Sequence, residues 1–79
     1  MKNLTCKLNK IHNGLQWEYI NKNRIRILSV VLHDGSYGRE EGLFEIMPHK
    51  CPKNWGDSVK GRCTFGEVQK WINKLDKDN

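Results

Sequence analysis

The residues of this chain that could do chemistry concentrate in HDGSYGREEG, residues 33–42, between its two most apolar segments. Three glycines recur there at intervals of three and four residues, which matches neither common phosphate-binding glycine motif. The segment that follows, LFEIM, is not a helix N-terminus, and Glu40 and Glu41 would repel a phosphate group. We therefore interpret the stretch as a hairpin connection whose glycines adopt positive φ.

The same connection is a candidate contact surface. Residues 34–41 form a loop longer than the roughly 2 to 5 residues of most hairpins, and long loops on a rigid scaffold often bind partners. Tyr37 and Arg39 are residue types enriched in protein interfaces, and Glu40 lies beside them. Trp55 lies among loop-forming residues, where it either folds back as a lid or stands exposed as a binding hot spot. The predicted partner-binding residues are Tyr37, Arg39, Glu40 and Trp55.

Metal binding and catalysis are disfavoured by residue spacing. His33, His49, Cys51 and Cys63 lack the closely spaced ligand pairs of structural zinc sites. His33 and Asp34 are adjacent in the sequence, and adjacent residues in extended chain point to opposite faces, so neither readily orients the other as a catalytic triad requires. We predict no metal, no cofactor and no enzymatic activity.

The net charge of +5 keeps nucleic-acid binding open as an alternative. Alternating basic residues could place a stripe of cations across one face of a sheet, with Trp17, Tyr19 or Trp55 as stacking groups. We expect the helix to cover the face that carries Leu15, Trp17 and Tyr19, which would hide those rings. The cations of the stripe are Lys7, Arg24, Arg26, Lys60 and Arg62.

Alternation of apolar and polar residues predicts four to five strands. Asn13-Gly14 is a strong hairpin signal between the first two. The alternation in the third is lost at Leu28, which indicates a central strand or a bulge near Leu28 and Ser29. The predicted strands are NLTCKL (3–8), LQWEYI (15–20), RIRILSVVLH (24–33), LFEIM (43–47) and VKGRC (59–63).

The C-terminal segment has the signature of an amphipathic helix. Thr64 and Glu67 form an S/T-x-x-E capping box, and apolar residues follow at helical spacing. The predicted core face is Phe65, Val68, Trp71, Ile72 and Leu75, while the last four residues, DKDN, are expected to fray. The prediction is one α+β domain over residues 1–79, an antiparallel β-meander of four to five strands with one C-terminal α-helix packed on one face.

The three cysteines cannot all pair internally, and no apolar run approaches the roughly 20 residues of a membrane span. We therefore expect a soluble, cytoplasmic protein with reduced thiols and no membrane contact. Cys6 and Cys63 fit apolar strand positions, where a free thiol acts as a small hydrophobe. The sequence leaves the oligomeric state open.

The run SYG-x-x-x-GLFEIM, followed by GDSVKG-x-x-T-x-x-x-V, resembles small single-domain proteins encoded by tailed phages and prophages. The likeness covers residues 36–75. It implies a protein that binds and redirects a host protein, for example a host-defence or regulatory factor. It assigns a role to no individual residue.

Overall fold

The computed structural model describes residues 1–36, 38–50 and 59–79. Within them, five antiparallel strands form one open sheet in which strand order follows the chain, and a C-terminal helix packs on one face, mainly against the last three strands. The predicted α+β meander is confirmed. Its elements are β1 (Thr5–Ile11), β2 (Gly14–Ile20), β3 (Arg26–Leu32), a 3₁₀ turn (Arg39–Glu41), β4 (Phe44–Pro48), β5 (Lys60–Cys63) and α1 (Phe65–Asp78).

The first hairpin turn lies one residue earlier than predicted. Its central residues are His12 and Asn13, with φ of 43° and 57°, as a type I′ turn requires. Gly14 instead begins β2, where a Cβ atom would lie 2.2 Å from the carbonyl oxygen of Leu32. Glycine is therefore needed there because the end of β3 approaches closely, rather than for the turn itself.

β3 is the central strand, as the loss of alternation indicated. Leu28 and Val30 lie in the core beneath the helix, while Ser29 is also buried although it is on the opposite face. The predicted bulge is present one residue before the expected position. Tyr19 pairs with Leu28 and the next residue, Ile20, pairs with Arg26, which leaves the intervening Ile27 as the extra residue.

The core forms between α1 and β3, β4 and β5. Trp17 and Phe44 pack at its margin with ring centroids 5.8 Å apart in an edge-to-face arrangement. Two predicted core positions were wrong: Phe65 is 69% exposed, and Cys6 is exposed on β1. The buried core residues are Leu28, Val30, Ile46, Cys63, Val68 and Ile72.

Both ends of α1 are fixed by side-chain hydrogen bonds. The capping box is confirmed, since the backbone N–H of Glu67 donates to Thr64 Oγ1 at 3.2 Å and the Glu67 carboxylate accepts the Thr64 N–H at 3.3 Å. The expectation that the last four residues fray was wrong. The Asp76 carboxylate accepts the backbone N–H groups of Lys2, Asn3 and Leu4 at 3.0, 2.8 and 3.0 Å.

Candidate functional site

The connection from β3 to β4 is held in place by hydrogen bonds within the loop and by glycines with positive φ. Ser36 Oγ donates to the carbonyl oxygen of His33 at 2.7 Å and accepts the His33 N–H at 3.1 Å. Gly35, Gly38 and Gly42 have φ of 88°, 90° and 71°, which confirms the predicted left-handed glycines. At Gly38 a Cβ atom would meet both Leu43 and the backbone of Arg62 at about 3 Å. The loop therefore presents its side chains from a defined scaffold.

Two of the four predicted partner-binding residues lie in the described part of this loop. Arg39 is half-buried, with Nη2 3.5 Å from the carbonyl oxygen of Asn13, and its buried Nε has no hydrogen-bond partner among the described residues. Glu40 is exposed beside it. Tyr37 and Trp55 lie outside the described residues, as does Cys51. The geometry thus places one cation and one carboxylate side by side at the loop.

Arg39 and Glu40 border a shallow depression of about 480 Å³. Arg62 forms part of its rim, where its Nε lies 3.0 Å from Glu41 Oε1. The depression is therefore lined by both arginines and carboxylates, which suits a mixed polar protein surface rather than an anionic phosphate. Its lining consists of Asp34, Gly35, Ser36, Gly38, Arg39, Glu40, Glu41 and Arg62.

The five cations of the alternative nucleic-acid surface do not form one stripe. Arg24 lies in the turn before β3 with φ of 63°. Lys60 Nζ lies 3.3 Å from the Glu67 carboxylate on the helix, whereas Arg26 Nη1 lies 3.5 Å from Glu18 and Arg62 pairs with Glu41 in the loop. Lys7 lies on β1 opposite Glu18. Three of the five cations thus already face carboxylates, on different sides of the molecule.

Sequence reasoning missed the free edge of β1. The pair Ile11 and Gly14 closes a two-residue turn, so these residues must exchange both backbone hydrogen bonds. Because hydrogen-bonded and non-hydrogen-bonded pairs alternate along an antiparallel ladder, the outward backbone groups belong to Cys6, Leu8 and Lys10. Among the residues that the structure describes, β1 has only β2 as a neighbour in the sheet. An open meander leaves its first strand at an edge, so the predicted strand order already implied this position for β1.

An apolar groove lies between α1 and strands β2 to β4, and its lining residues are Trp17, Tyr19, Val30, Phe44, Phe65, Val68, Gln69 and Ile72. Its volume is about 150 Å³. Leu8, which is paired with Trp17 across the β1–β2 ladder, is 56% exposed, and Phe65 at the start of α1 is 69% exposed. We call Leu8, Phe65 and this groove the apolar patch. It exists because α1 packs mainly over the last three strands rather than over β1.

The two described thiols have different surroundings. Burial raises the pKa of Cys63, and the nearby Glu67 carboxylate adds to the shift, so this thiol stays protonated as a core hydrophobe. Burial also raises the pKa of Tyr19 to about 12, with a further contribution from the adjacent Cys6 thiol. Neither Cys63 nor Tyr19 is therefore poised to ionise near neutral pH.

The described residues contain no group of three or more His, Cys, Asp and Glu side chains placed to bind a metal. Among the helices of the same residues, none is long and apolar enough to cross a membrane. Comparisons with protein-family models, curated proteins and solved structures found no match to this chain. A function for it therefore has to be inferred from its own geometry.

Proposed function

We propose that this chain is a small non-enzymatic interaction protein that binds another protein. The observation that carries the proposal is the apolar patch, in which Leu8 and Phe65 are more than half exposed on either side of a groove lined by aromatic rings. Isolated exposed apolar residues are ordinary on a protein surface, but a contiguous apolar patch at an open sheet edge is typical of a protein interface. Aromatic side chains are also the ones that most often dominate binding energy.

The loop residues fit the same function as a second contact surface. Arg39 and Glu40 lie on a connection whose conformation is fixed before any partner arrives, which reduces the entropy cost of binding. Tyr37 and Trp55 remain candidate contacts from the sequence. The resemblance to phage and prophage proteins supports a host-cell protein, such as a defence or regulatory factor, as the partner.

Nucleic-acid binding is the alternative that the geometry supports less well. Phosphate contacts need cations free to replace counterions, and Arg26, Lys60 and Arg62 each face a carboxylate. Trp17 and Tyr19 are half-buried and pack against the core cluster, so only part of each ring is open to a partner, and neither lies next to an unpaired cation of the predicted stripe other than Lys7.

The proposal is tested by capturing binding partners with a Leu8→Ser, Phe65→Ser double variant. The matched control is Ile25→Ser, because Ile25 is also an exposed apolar residue, at 42%, but lies outside the apolar patch. These exposed positions should change the stability of the fold by about 0.5 kcal/mol or less each. We expect the double variant to lose a captured protein that both the native chain and the control retain.

One outcome would overturn the proposed protein binding, and a second would overturn its assignment to the apolar patch. If capture disappears after nuclease treatment and weakens steeply with salt, the bound species is a nucleic acid. If the protein partner is retained by the double variant but lost after Arg39→Ala and Glu40→Ala, the partner binds the loop and not the apolar patch.

A further inference from the structure

β1 has the backbone features that strand addition requires. It is seven residues long and pairs with β2 without a register shift. The N–H and C=O groups of Cys6, Leu8 and Lys10 point away from β2, because the other residues of β1 make the ladder bonds. An unpaired edge of this kind is a template for another extended chain.

The charges along this edge are not neutralised by the described part of the chain. Lys7 and Lys10 are exposed, and neither forms an ion pair with a described residue. Glu18 lies opposite Lys7 in the β1–β2 ladder, but its carboxylate is paired with Arg26 and also accepts a hydrogen bond from Asn9. Lys10 lies opposite Leu15, which carries no charge. The edge is therefore both open and positively charged.

From this geometry we infer that β1 binds an extended acidic segment of the partner protein as a sixth strand of the sheet. The inference rests on the proposed protein-binding function and names the chemistry of the partner. Main-chain hydrogen bonds to Cys6, Leu8 and Lys10 supply affinity, and side chains at alternate positions supply specificity. Charge complementarity selects carboxylates on the incoming strand.

The positions on β1 specify what the incoming strand carries. Leu8 is exposed on the side of the groove, so the residue opposite it is apolar and extends the apolar patch. Lys7 precedes Leu8 by one residue and Lys10 follows it by two, so the two lysines lie on opposite faces of the sheet. Each lysine is met by a carboxylate of the incoming strand. Opposite-charge pairs directly across a sheet stabilise it by about 0.2 to 1 kcal/mol each. The recognised pattern, read opposite residues 7–10, is acidic, apolar, variable, acidic.

A second copy of this chain is a poorer occupant of the edge. β1 has the sequence TCKLNKI and contains no carboxylate, so pairing two copies would bring four lysines to one junction with no opposite charge. Each copy also carries a net charge of +5. Lysines on an edge strand are a common device against self-pairing, and here they leave an acidic strand as the complementary partner.

A synthetic peptide provides the direct test. The probe is a capped seven-residue peptide, Thr-Glu-Thr-Val-Glu-Val-Thr, which in antiparallel register places its glutamates opposite Lys7 and Lys10 and a valine opposite Leu8. Its control replaces both glutamates with lysine. In a nuclear magnetic resonance titration we expect the acidic peptide, and not its control, to shift the amide signals of Cys6, Leu8 and Lys10 and to slow their hydrogen exchange.

A proline substitution separates main-chain pairing from side-chain contact. Cys6→Pro removes an outward N–H without removing a β1–β2 ladder bond, and proline is tolerated on edge strands when its nitrogen faces solvent. Cys6→Ser retains the N–H and is the matched control. We expect about tenfold weaker peptide binding for Cys6→Pro, the loss of roughly one backbone hydrogen bond, and unchanged binding for Cys6→Ser. Thermal unfolding of both variants verifies the fold.

The outcomes distinguish this inference from the proposed function. A captured partner that depends on Leu8 and Phe65 but tolerates Cys6→Pro, with no response to either peptide, would overturn strand addition and leave protein binding intact. If no variant weakened either the capture of a partner or the binding of the peptide, both strand addition and the proposed function would be overturned. Sedimentation showing a dimer that Cys6→Pro dissociates would replace the acidic partner with a second copy.

Discussion

The two edges of the sheet differ in nearly every property that governs strand pairing. β5 is four residues long, its register with β4 is irregular, and Arg62 within it has a left-handed φ of 52°. Its two cations are each paired with a carboxylate, Lys60 with Glu67 and Arg62 with Glu41. β1 is seven residues long, regular and lined by lysines without ion pairs among the described residues.

This contrast shows what protects an edge. Short length, irregular register and locally paired charges prevent an incoming chain from matching β5. Within the described part of the chain, β1 is protected by its lysines alone, and lysines repel another basic edge while attracting an acidic one. A recognition strand can therefore be specific without a pocket, because the sign of its charge selects among extended partners.

The largest expected effect tests whether both edges depend on one core. Ile46 is fully buried beneath α1, so Ile46→Ala should lower the free energy of unfolding by about 2 to 5 kcal/mol and expose β1 and β5 together. Ile25→Ala, at a position that is 42% exposed, should cost about 0.5 kcal/mol or less. Urea denaturation measures both. If both variants lost the same free energy of unfolding, Ile46 would not belong to the core.

A smaller effect should be confined to the β5 side. Thr64 follows β5 directly and caps α1, so Thr64→Ala should destabilise the protein by about 1 kcal/mol through loss of the N-cap hydrogen bond. Thr64→Ser keeps the hydroxyl and should be nearly neutral. Hydrogen exchange should accelerate at Lys60 and in the first turn of α1 more than in β1. Uniform acceleration across the sheet would contradict a local role for the cap.

The smallest expected effect is a loss of stability at acidic pH, to which a different carboxylate contributes on each side of the sheet. The backbone N–H of Thr64 and then Lys60 lower the pKa of Glu67 beside β5, and the N–H groups of Lys2, Asn3 and Leu4 lower the pKa of Asp76 beside β1. Because both values lie below those of the unfolded chain, the stabilisation is complete above about pH 5 and is lost as pH falls through the lowered pKa values.

Two variants separate these contributions. Asp76→Asn should weaken the acid dependence of stability and raise hydrogen exchange at Leu4, whereas Glu67→Gln should do the same at Lys60. The measurement is thermal unfolding between about pH 2 and 6. An unchanged profile in both variants would show that other carboxylates govern acid unfolding.

The sequence predicted the features that local signals determine. Alternation placed the strands, the capping box placed the start of α1, and the glycines of the β3–β4 connection adopt the expected positive φ. The turn was misplaced by one residue because glycine is required at position 14 by the close approach of β3 and not by the turn. That tertiary constraint has no local signature in the sequence. Phe65 was misassigned because it lies at the flank of the apolar arc of α1, beyond the part that the sheet covers.

The candidate site was less predictable for the same reason. The ion pairs that engage Arg26, Lys60 and Arg62 join distant parts of the chain, so residue types alone could not reveal them. The open edge of β1 follows from strand order, but its exposed Leu8 depends on how far α1 extends over the sheet. Spacing gives the position of a residue on a strand, while its partners depend on the fold.

The hydrogen bonds from Lys2, Asn3 and Leu4 to Asp76 bring the beginning of the chain to the end of α1. A short glycine- and serine-rich linker could therefore join the two ends, and new ends could be opened at the exposed Lys22–Asn23 turn. Such a circular permutant would synthesise the β1–β2 hairpin last. Its assembly would then show whether the recognition strand can dock onto a scaffold that has already folded.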